Sequence, residues 1–161
     1  MESTSIQEVV KHLVAVLRET VEGPTGEWTY FIDKSPDAGL LRSLASLNAA
    51  EASQSLGGTS IASHAHHVIF SLSDAVACIE GDRQQRNWRE SWAVNSVDET
   101  EWSGMLQKLQ SEYKRLSRTI ESKAFSEAQA MGDAVGVIAH VAFHLGAIRQ
   151  KLSFRQNAKL A

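Results

Sequence analysis

Hydrophobic side chains recur every three or four positions along four long stretches of the chain, which is the spacing of amphipathic α-helices. The first stretch begins near Ser5, which has Ser-x-x-Glu capping-box spacing to Glu8, and it stops at Gly23-Pro24. No stretch alternates between apolar and polar residues as a half-buried strand does. The pattern therefore predicts an all-α protein.

The other three long stretches carry end signals of their own. A cap at Thr59 or Ser60 begins the second helix, which runs to about Gly81. The segment Ser96–Glu99 has capping-box spacing and predicts the start of the third helix. Apolar residues at helical spacing predict a fourth helix over about 134–152. Four amphipathic helices of this length favour a four-helix bundle, formed by the single domain 1–161.

Shorter segments connect these helices. Ser35-Pro36-Asp37 predicts the start of one extra short helix between the first and second long helices, with Ser35 as its cap and Pro36 in its first turn. Residues 24–35 have no helical period and predict a packed loop. Residues 82–97 form a long polar loop with Trp88 and Trp92, and a loop of this length is either functional or folded over the bundle.

Charge and composition narrow the class of protein. The chain has 16 Lys+Arg against 19 Asp+Glu, a net charge of −3, which disfavours nucleic acid and acidic membrane surfaces as partners. No uninterrupted apolar run reaches the roughly 18–20 residues of a membrane span. The N-terminus lacks the basic and apolar segments of a signal peptide. One cysteine, Cys78, excludes an internal disulfide framework. A cytoplasmic domain is expected.

Five of the six histidines lie in two short clusters. His140 and His144 are four apart in the fourth predicted helix, so they share a face, about 40° apart around the axis. Two imidazoles placed in this way can point at one metal ion. Their apolar neighbours disfavour protonated rings. Two core histidines bonded to backbone or hydroxyl groups would give the same spacing, and the pair alone does not decide between these interpretations.

The second cluster lies in the second predicted helix. His64 and His67 adjoin its apolar stripe, whereas His66 is expected near a rim or in solvent. If the second and fourth helices pack side by side, one histidine from this cluster completes a three-histidine set. Three protein nitrogens with an open position are typical of catalytic metal sites. The second cluster therefore favours metal over metal-free core histidines, while His12, alone in the first helix, is expected to be a surface or half-buried polar residue.

Two segments carry a resemblance to a known family. Residues 59–67 (TSIASHAHH) and 140–150 (HVAFHLGAIRQ) resemble the second-helix and fourth-helix motifs of the DinB-like (YfiT-like) metal-dependent enzymes. The resemblance implies an up-down-down-up four-helix bundle, frequent homodimers and a divalent ion held by three histidines. Carried over onto this sequence, the implied ligands are His67, His140 and His144. His64 replaces His67 as a ligand if the register differs by a turn. Otherwise His64 is expected to contact the ligands without binding the ion.

The function expected from these features is a metal-dependent enzyme acting on a small molecule. Some members of the family use the metal to activate a low-molecular-weight thiol, so a hydrolase or a thiol transferase is implied. Zinc or nickel is the expected ion, with iron or manganese as alternatives, because three imidazoles do not select one metal. A non-enzymatic binding bundle, with a structural ion or metal-free core histidines, is the alternative function.

The sequence identifies no general base. Asp74 lies on the same face as His67 but about 10 Å along the helix, so a surface carboxylate is expected. Trp88 and Trp92 are expected to cover the open end of the bundle or a dimer seam, in preference to forming a wall over a ligand. Cys78 is expected to be a small buried residue, about 16 Å from His67 and too far away to bind the same ion. Three acidic residues in or beside the long loop are expected to be solvated: Glu90, Glu99 and Glu101. Arg149 and Gln150 are expected either to face water or to reach a substrate.

Overall fold

In the computed structural model, which describes residues 5–123, 125 and 128–160 and their side chains as far as residue 156, the chain forms helices and no named strand. The all-α prediction is confirmed. One isolated β-bridge joins Leu56 to Thr59. A single 3₁₀ turn, Glu90–Trp92, lies in the long polar loop. The α-helices of the described residues are α1 (Ile6–Glu22), α2 (Leu40–Ala45), α3 (Ala49–Ser53), α4 (Ile61–Glu80), α5 (Glu99–Ser122) and α6 (Ala128–Leu160).

The predicted ends of α1 and α4 are confirmed. Ser5 and Glu8 form a reciprocal capping box at the start of α1. The side chain of Ser60 caps α4 by accepting the backbone N–H of Ser63. Gly81 ends α4 in the left-handed conformation, with φ of 103°, where a residue without a Cβ is favoured. These caps fix the position of α4, the helix that carries the first histidine cluster.

Two predicted helix starts are wrong. The single short helix expected from Ser35 is a pair, α2 and α3, because Asn48 interrupts the leucine pattern and begins α3 with its own capping box. Similarly, α5 is capped by Asp98 with Glu101, two residues later than the predicted pair Ser96 and Glu99. Both positions satisfied the capping-box spacing, and the sequence offered no reason to choose the later one.

The last helix is longer than the expected 134–152. Within α6, the stretch Ala128–Gln156 is long and apolar enough to cross a membrane by length and composition alone, a criterion that core helices of soluble proteins also meet. The sequence expectation concerned uninterrupted apolar runs, and the charge-free run in this stretch, residues 134–148, is shorter than a membrane span. No charged residue lies between Asp133 and Arg149, and only the two histidines interrupt the apolar run.

The core lies where the long helices meet. Helix α4 packs against α5 and α6, and α1 packs against the same two helices. The four-helix bundle and its up-down-down-up order remain predictions. Burial of large aliphatic side chains is the main stabilising contribution here. The fully buried side chains include Leu17, Leu72, Leu109, Leu116 and Ile148.

The loop over residues 24–35 is held against α1, as expected for a packed loop. The buried carboxylate of Glu19 accepts the backbone N–H groups of Tyr30, Phe31 and Ile32 at 2.7–3.1 Å. His12 is exposed, and its Nδ1 lies 2.6 Å from the hydroxyl of Tyr30. The expectation for His12 is confirmed, and this histidine belongs to the loop contact and not to the two clusters.

Candidate metal centre

Helices α4 and α6 bring three histidines together. His67 from α4 and His140 and His144 from α6 each offer one ring nitrogen, and these nitrogens all lie within 4.8 Å of one another. His67 and His144 are buried, at 5% and 3% exposed, and His140 is half-buried. The three histidines singled out by the sequence are therefore one cluster, and they can hold a metal ion.

The distances in the cluster fit a small divalent cation. In a tetrahedral zinc site with Zn–N bonds of about 2.0–2.1 Å, ligand nitrogens lie about 3.3 Å apart. The Nε2 atoms of His67 and His140 are 2.9 Å apart, slightly closer than that spacing. The widest separation between ligand atoms in the cluster does not exceed 4.8 Å. Small rotations of the side chains would therefore bring all three nitrogens to bonding distance from one ion. Imidazole nitrogens suit zinc, nickel, copper and iron.

Burial keeps these imidazoles neutral. It lowers the pKa of His67 to about 4 and that of His144 to about 3, with smaller contributions from the neighbouring histidines. Burial also lowers the pKa of His140. A neutral ring has a free lone pair, which a metal requires and a protonated ring lacks. At pH 7 the cluster is therefore in the protonation state that binds cations.

His64 lies beside the cluster and not in it. Its Nδ1 is 2.9 Å from Nδ1 of His144, and its Nε2 is 3.2 Å from the hydroxyl of Thr59. Both ring nitrogens thus face polar partners, and burial lowers the pKa of His64 to about 4. The close group of three contains His67 and leaves His64 as a neighbour of His144.

The long polar loop covers the histidines. The ring of Trp92 stacks on that of His67 and meets His64 edge-on, with centroids 4.1 and 5.3 Å away. Trp88 lies 5.7 Å from His67 and 6.2 Å from His140. The tryptophans were expected to cover the end of the bundle or a dimer seam. In the structure both rings contact the histidines and form a wall of the cluster. The sequence signal for this wall was a polar segment with two tryptophans four residues apart.

Two contacts fix the covering loop to α4. The Nδ1 atom of His67 lies 2.7 Å from the hydroxyl of the fully buried Ser91, and that hydroxyl donates to the carbonyl of Trp88 at 2.6 Å. The Nδ1 atom of His66 lies 2.8 Å from the carbonyl oxygen of Ser91. His66 is therefore half-buried and hydrogen-bonded, which fits the expected place near a rim and not a place in solvent. Nothing in the sequence singles out Ser91, because its importance depends on how the loop folds back.

A cavity of about 260 Å³ opens beside His140, between α4 and α6, with Trp88 at its edge. Asp74 lines it and pairs with Arg86 at 3.0 Å, its side chain only 14% exposed. The expectation of a surface carboxylate at Asp74 is therefore wrong. Cys78 also lines the cavity, half-buried, and burial raises the pKa of its thiol, so the thiolate is disfavoured.

The remaining candidates have structural partners elsewhere. Glu99 accepts the backbone N–H of Ala49, and Glu101 completes the capping box of α5. Glu90 accepts from the side chain of Asn87. Arg149 pairs with Asp33 in the loop beside α1. Gln150 lines a second, mainly apolar cavity that also touches His64.

Comparison with known proteins adds no assignment, since no protein-family model, curated protein or solved structure matches the chain.

Proposed function

We propose that the chain is a divalent-metal-dependent enzyme that acts on a small molecule, as a hydrolase or a low-molecular-weight-thiol transferase. The observation that carries the proposal is the cluster of His67, His140 and His144, with one ring nitrogen of each within 4.8 Å of the others. A divalent ion bound there supplies Lewis acidity, which lowers the pKa of a nearby water or thiol into the neutral range.

The surroundings of the cluster support a reaction site more than a closed structural site. Three histidines leave a coordination position free, whereas structural zinc sites usually have four protein ligands. The cavity beside His140 gives a small substrate a place next to the cluster, and Trp88 supplies a flat apolar wall. Asp74 and Asp133 both line this cavity, but their ion pairs with Arg86 and Arg83 favour a role in shaping the wall over one as a base.

Membership of the DinB-like family, a homodimer and a cytoplasmic location belong to the same proposal. The family rests on the two histidine motifs, 59–67 and 140–150. The homodimer is supported by two exposed aromatic side chains on α6, those of Phe143 and Phe154, at 71% and 58% exposed. The preferred ion is zinc or nickel, with iron or manganese as alternatives.

Elemental analysis of protein purified without an affinity tag tests the proposal. We expect about one divalent ion per chain in the wild type and its loss in His144→Ala, while His12→Ala, which changes an exposed histidine outside the cluster, retains it. The loaded and the chelator-treated protein are then compared in hydrolysis and thiol-transfer screens. Wild-type protein that stays metal-free after incubation with zinc, nickel and manganese would overturn the metal site. Equal activity with and without the ion would overturn the metal dependence of the reaction.

A second candidate function, a non-enzymatic binding bundle, is favoured by one specific observation. The histidines pair with each other directly, His67 with His140 and His64 with His144, both at 2.9 Å. Such pairs satisfy buried polar atoms without any ion. In the metal-free form of this alternative the wild type carries no stoichiometric metal, and chelation leaves its thermal stability unchanged.

A further inference from the structure

The covering loop is hydrogen-bonded to the proposed metal ligand His67 through Ser91. This side chain is fully buried, in the 3₁₀ turn Glu90–Trp92, and its hydroxyl lies between two partners. One is the carbonyl oxygen of Trp88 at 2.6 Å, and the other is Nδ1 of His67 at 2.7 Å. The two contacts together determine where the protons lie.

A serine hydroxyl has a single proton to donate. The carbonyl of Trp88 is an acceptor only, so the Ser91 proton is used in that hydrogen bond. The Ser91 oxygen is then left as an acceptor toward His67, and Nδ1 of His67 must carry the N–H. A neutral imidazole has one N–H, so Nε2 of His67 has the free lone pair. That is the nitrogen that lies 2.9 Å from Nε2 of His140.

We propose that Ser91 is a positioning residue that holds His67 in the Nδ1–H tautomer, with Nε2 presented to the metal, and so couples the covering loop to the metal centre. The consequence for metal affinity rests on the proposed function. The consequence for the tautomer does not, because it follows from the hydrogen bonds of Ser91 alone.

The same residue fixes the loop through its backbone. The carbonyl of Ser91 accepts from Nδ1 of His66, at 2.8 Å, so two consecutive histidines of α4 engage one residue of the loop. Trp92, the next residue, then stacks on the ring of His67. The ring of His67 is thereby held by a hydrogen bond at its edge and by an indole on its face. Ligands oriented in this way bind metal more tightly, since less freedom is lost on binding.

The test is a pair of measurements on the full chain. Long-range ¹H–¹⁵N NMR of the chelator-treated protein assigns the protonated nitrogen of His67. A zinc titration against a competing chelator then gives the affinity. In Ser91→Ala we expect His67 to lose its uniform Nδ1–H state, and zinc affinity to fall by about 10–100-fold, the usual effect of removing a hydrogen-bond partner of a ligating histidine. Ser91→Thr keeps the hydroxyl, so it should restore both the Nδ1–H tautomer and the zinc affinity.

The matched control is Ser71→Ala. The hydroxyl of Ser71 is also buried and also bonds to His67, but it donates to the backbone carbonyl and not to the ring. This variant should leave the tautomer unchanged and zinc affinity close to that of the wild type. If folded Ser91→Ala keeps the Nδ1–H tautomer, the positioning role is overturned. If the wild type binds no zinc, the proposed function fails while the NMR measurement still decides the role of Ser91.

Discussion

The indole of Trp92 stacks on the imidazole of His67, with ring centroids 4.1 Å apart and planes inclined by 23°. An aromatic ring in contact with a proposed metal ligand gives that ligand a spectroscopic reporter. It also joins two regions that are far apart in the sequence, the α4 histidine cluster and the polar loop before α5.

Nickel binding is expected to quench tryptophan fluorescence mainly through Trp92, because a paramagnetic ion at His67 lies within a few ångströms of the stacked indole. Trp92→Phe should remove most of the quenching, measured as the drop in emission on adding one equivalent of Ni²⁺. Trp28→Phe is the control, since Trp28 is 68% exposed and packs on Tyr30 in the loop beside α1. Equal quenching in both variants would show that Trp92 is not the main reporter of the ion.

Stability is expected to fall as pH is lowered from 6.5 toward 4. Burial lowers the pKa of His64 and His67 to about 4 and that of His144 to about 3. The unfolded chain therefore takes up protons near pH 6.5 while the folded chain does not, so protons favour unfolding throughout this range. We expect a loss of roughly 1–3 kcal/mol between pH 6.5 and 5, after discounting for solvent screening at a partly open site.

Urea denaturation of chelator-treated protein at several pH values measures this loss. The triple variant His64→Asn, His67→Asn, His144→Asn should have a flatter pH dependence. His12→Asn, which changes an exposed histidine, should keep the wild-type slope. If the triple variant loses stability with falling pH as steeply as the wild type, groups other than these three histidines cause the loss.

The sequence was sufficient for the all-α class and for the pair His140 and His144, because both follow from local spacing, whereas the choice of His67 over His64 came from the family resemblance. His140 and His144 lie one turn apart on any helix, and a second cluster in another helix needs only side-by-side packing to join them. The site's surroundings were not predictable in this way. Ser91 and Trp92 reach His67 only because the loop folds back over α4, and that path is determined by tertiary contacts that the spacing of the two tryptophans does not specify.

The exposed aromatic face of α6 is expected to form a dimer contact. Phe143 and Phe154 are eleven residues apart, so they lie about 20° apart around the helix and about 16 Å apart along it. Burying both rings against a second copy would remove apolar surface from water. Phe143→Lys should convert a dimer into a monomer in light scattering after size exclusion, whereas Ile6→Lys, at an exposed position of α1, should not. A monomeric wild type would refute this expectation.

Gly136 is expected to keep the cavity beside His140 open. It lines that cavity, and a Cβ built on it meets no atom within 4 Å. Gly136→Ala should therefore raise the free energy of unfolding by about 0.5–1 kcal/mol, because alanine restricts the unfolded chain and favours the helix. Gly136→Leu should instead place a large side chain where the substrate is proposed to enter. We expect it to retain the bound ion and to lose turnover in the metal-dependent reaction.

The matched control for this prediction is Gly104→Leu. Gly104 lies in α5, is exposed, has the same open space around its Cβ position and does not line the cavity. Metal content, unfolding by urea and initial rates over a range of substrate concentrations are measured for all three variants. If Gly136→Leu and Gly104→Leu retain equal kcat/KM, the substrate reaches the histidines by another route, and the second cavity, which touches His64 and Gln150, becomes the place to test.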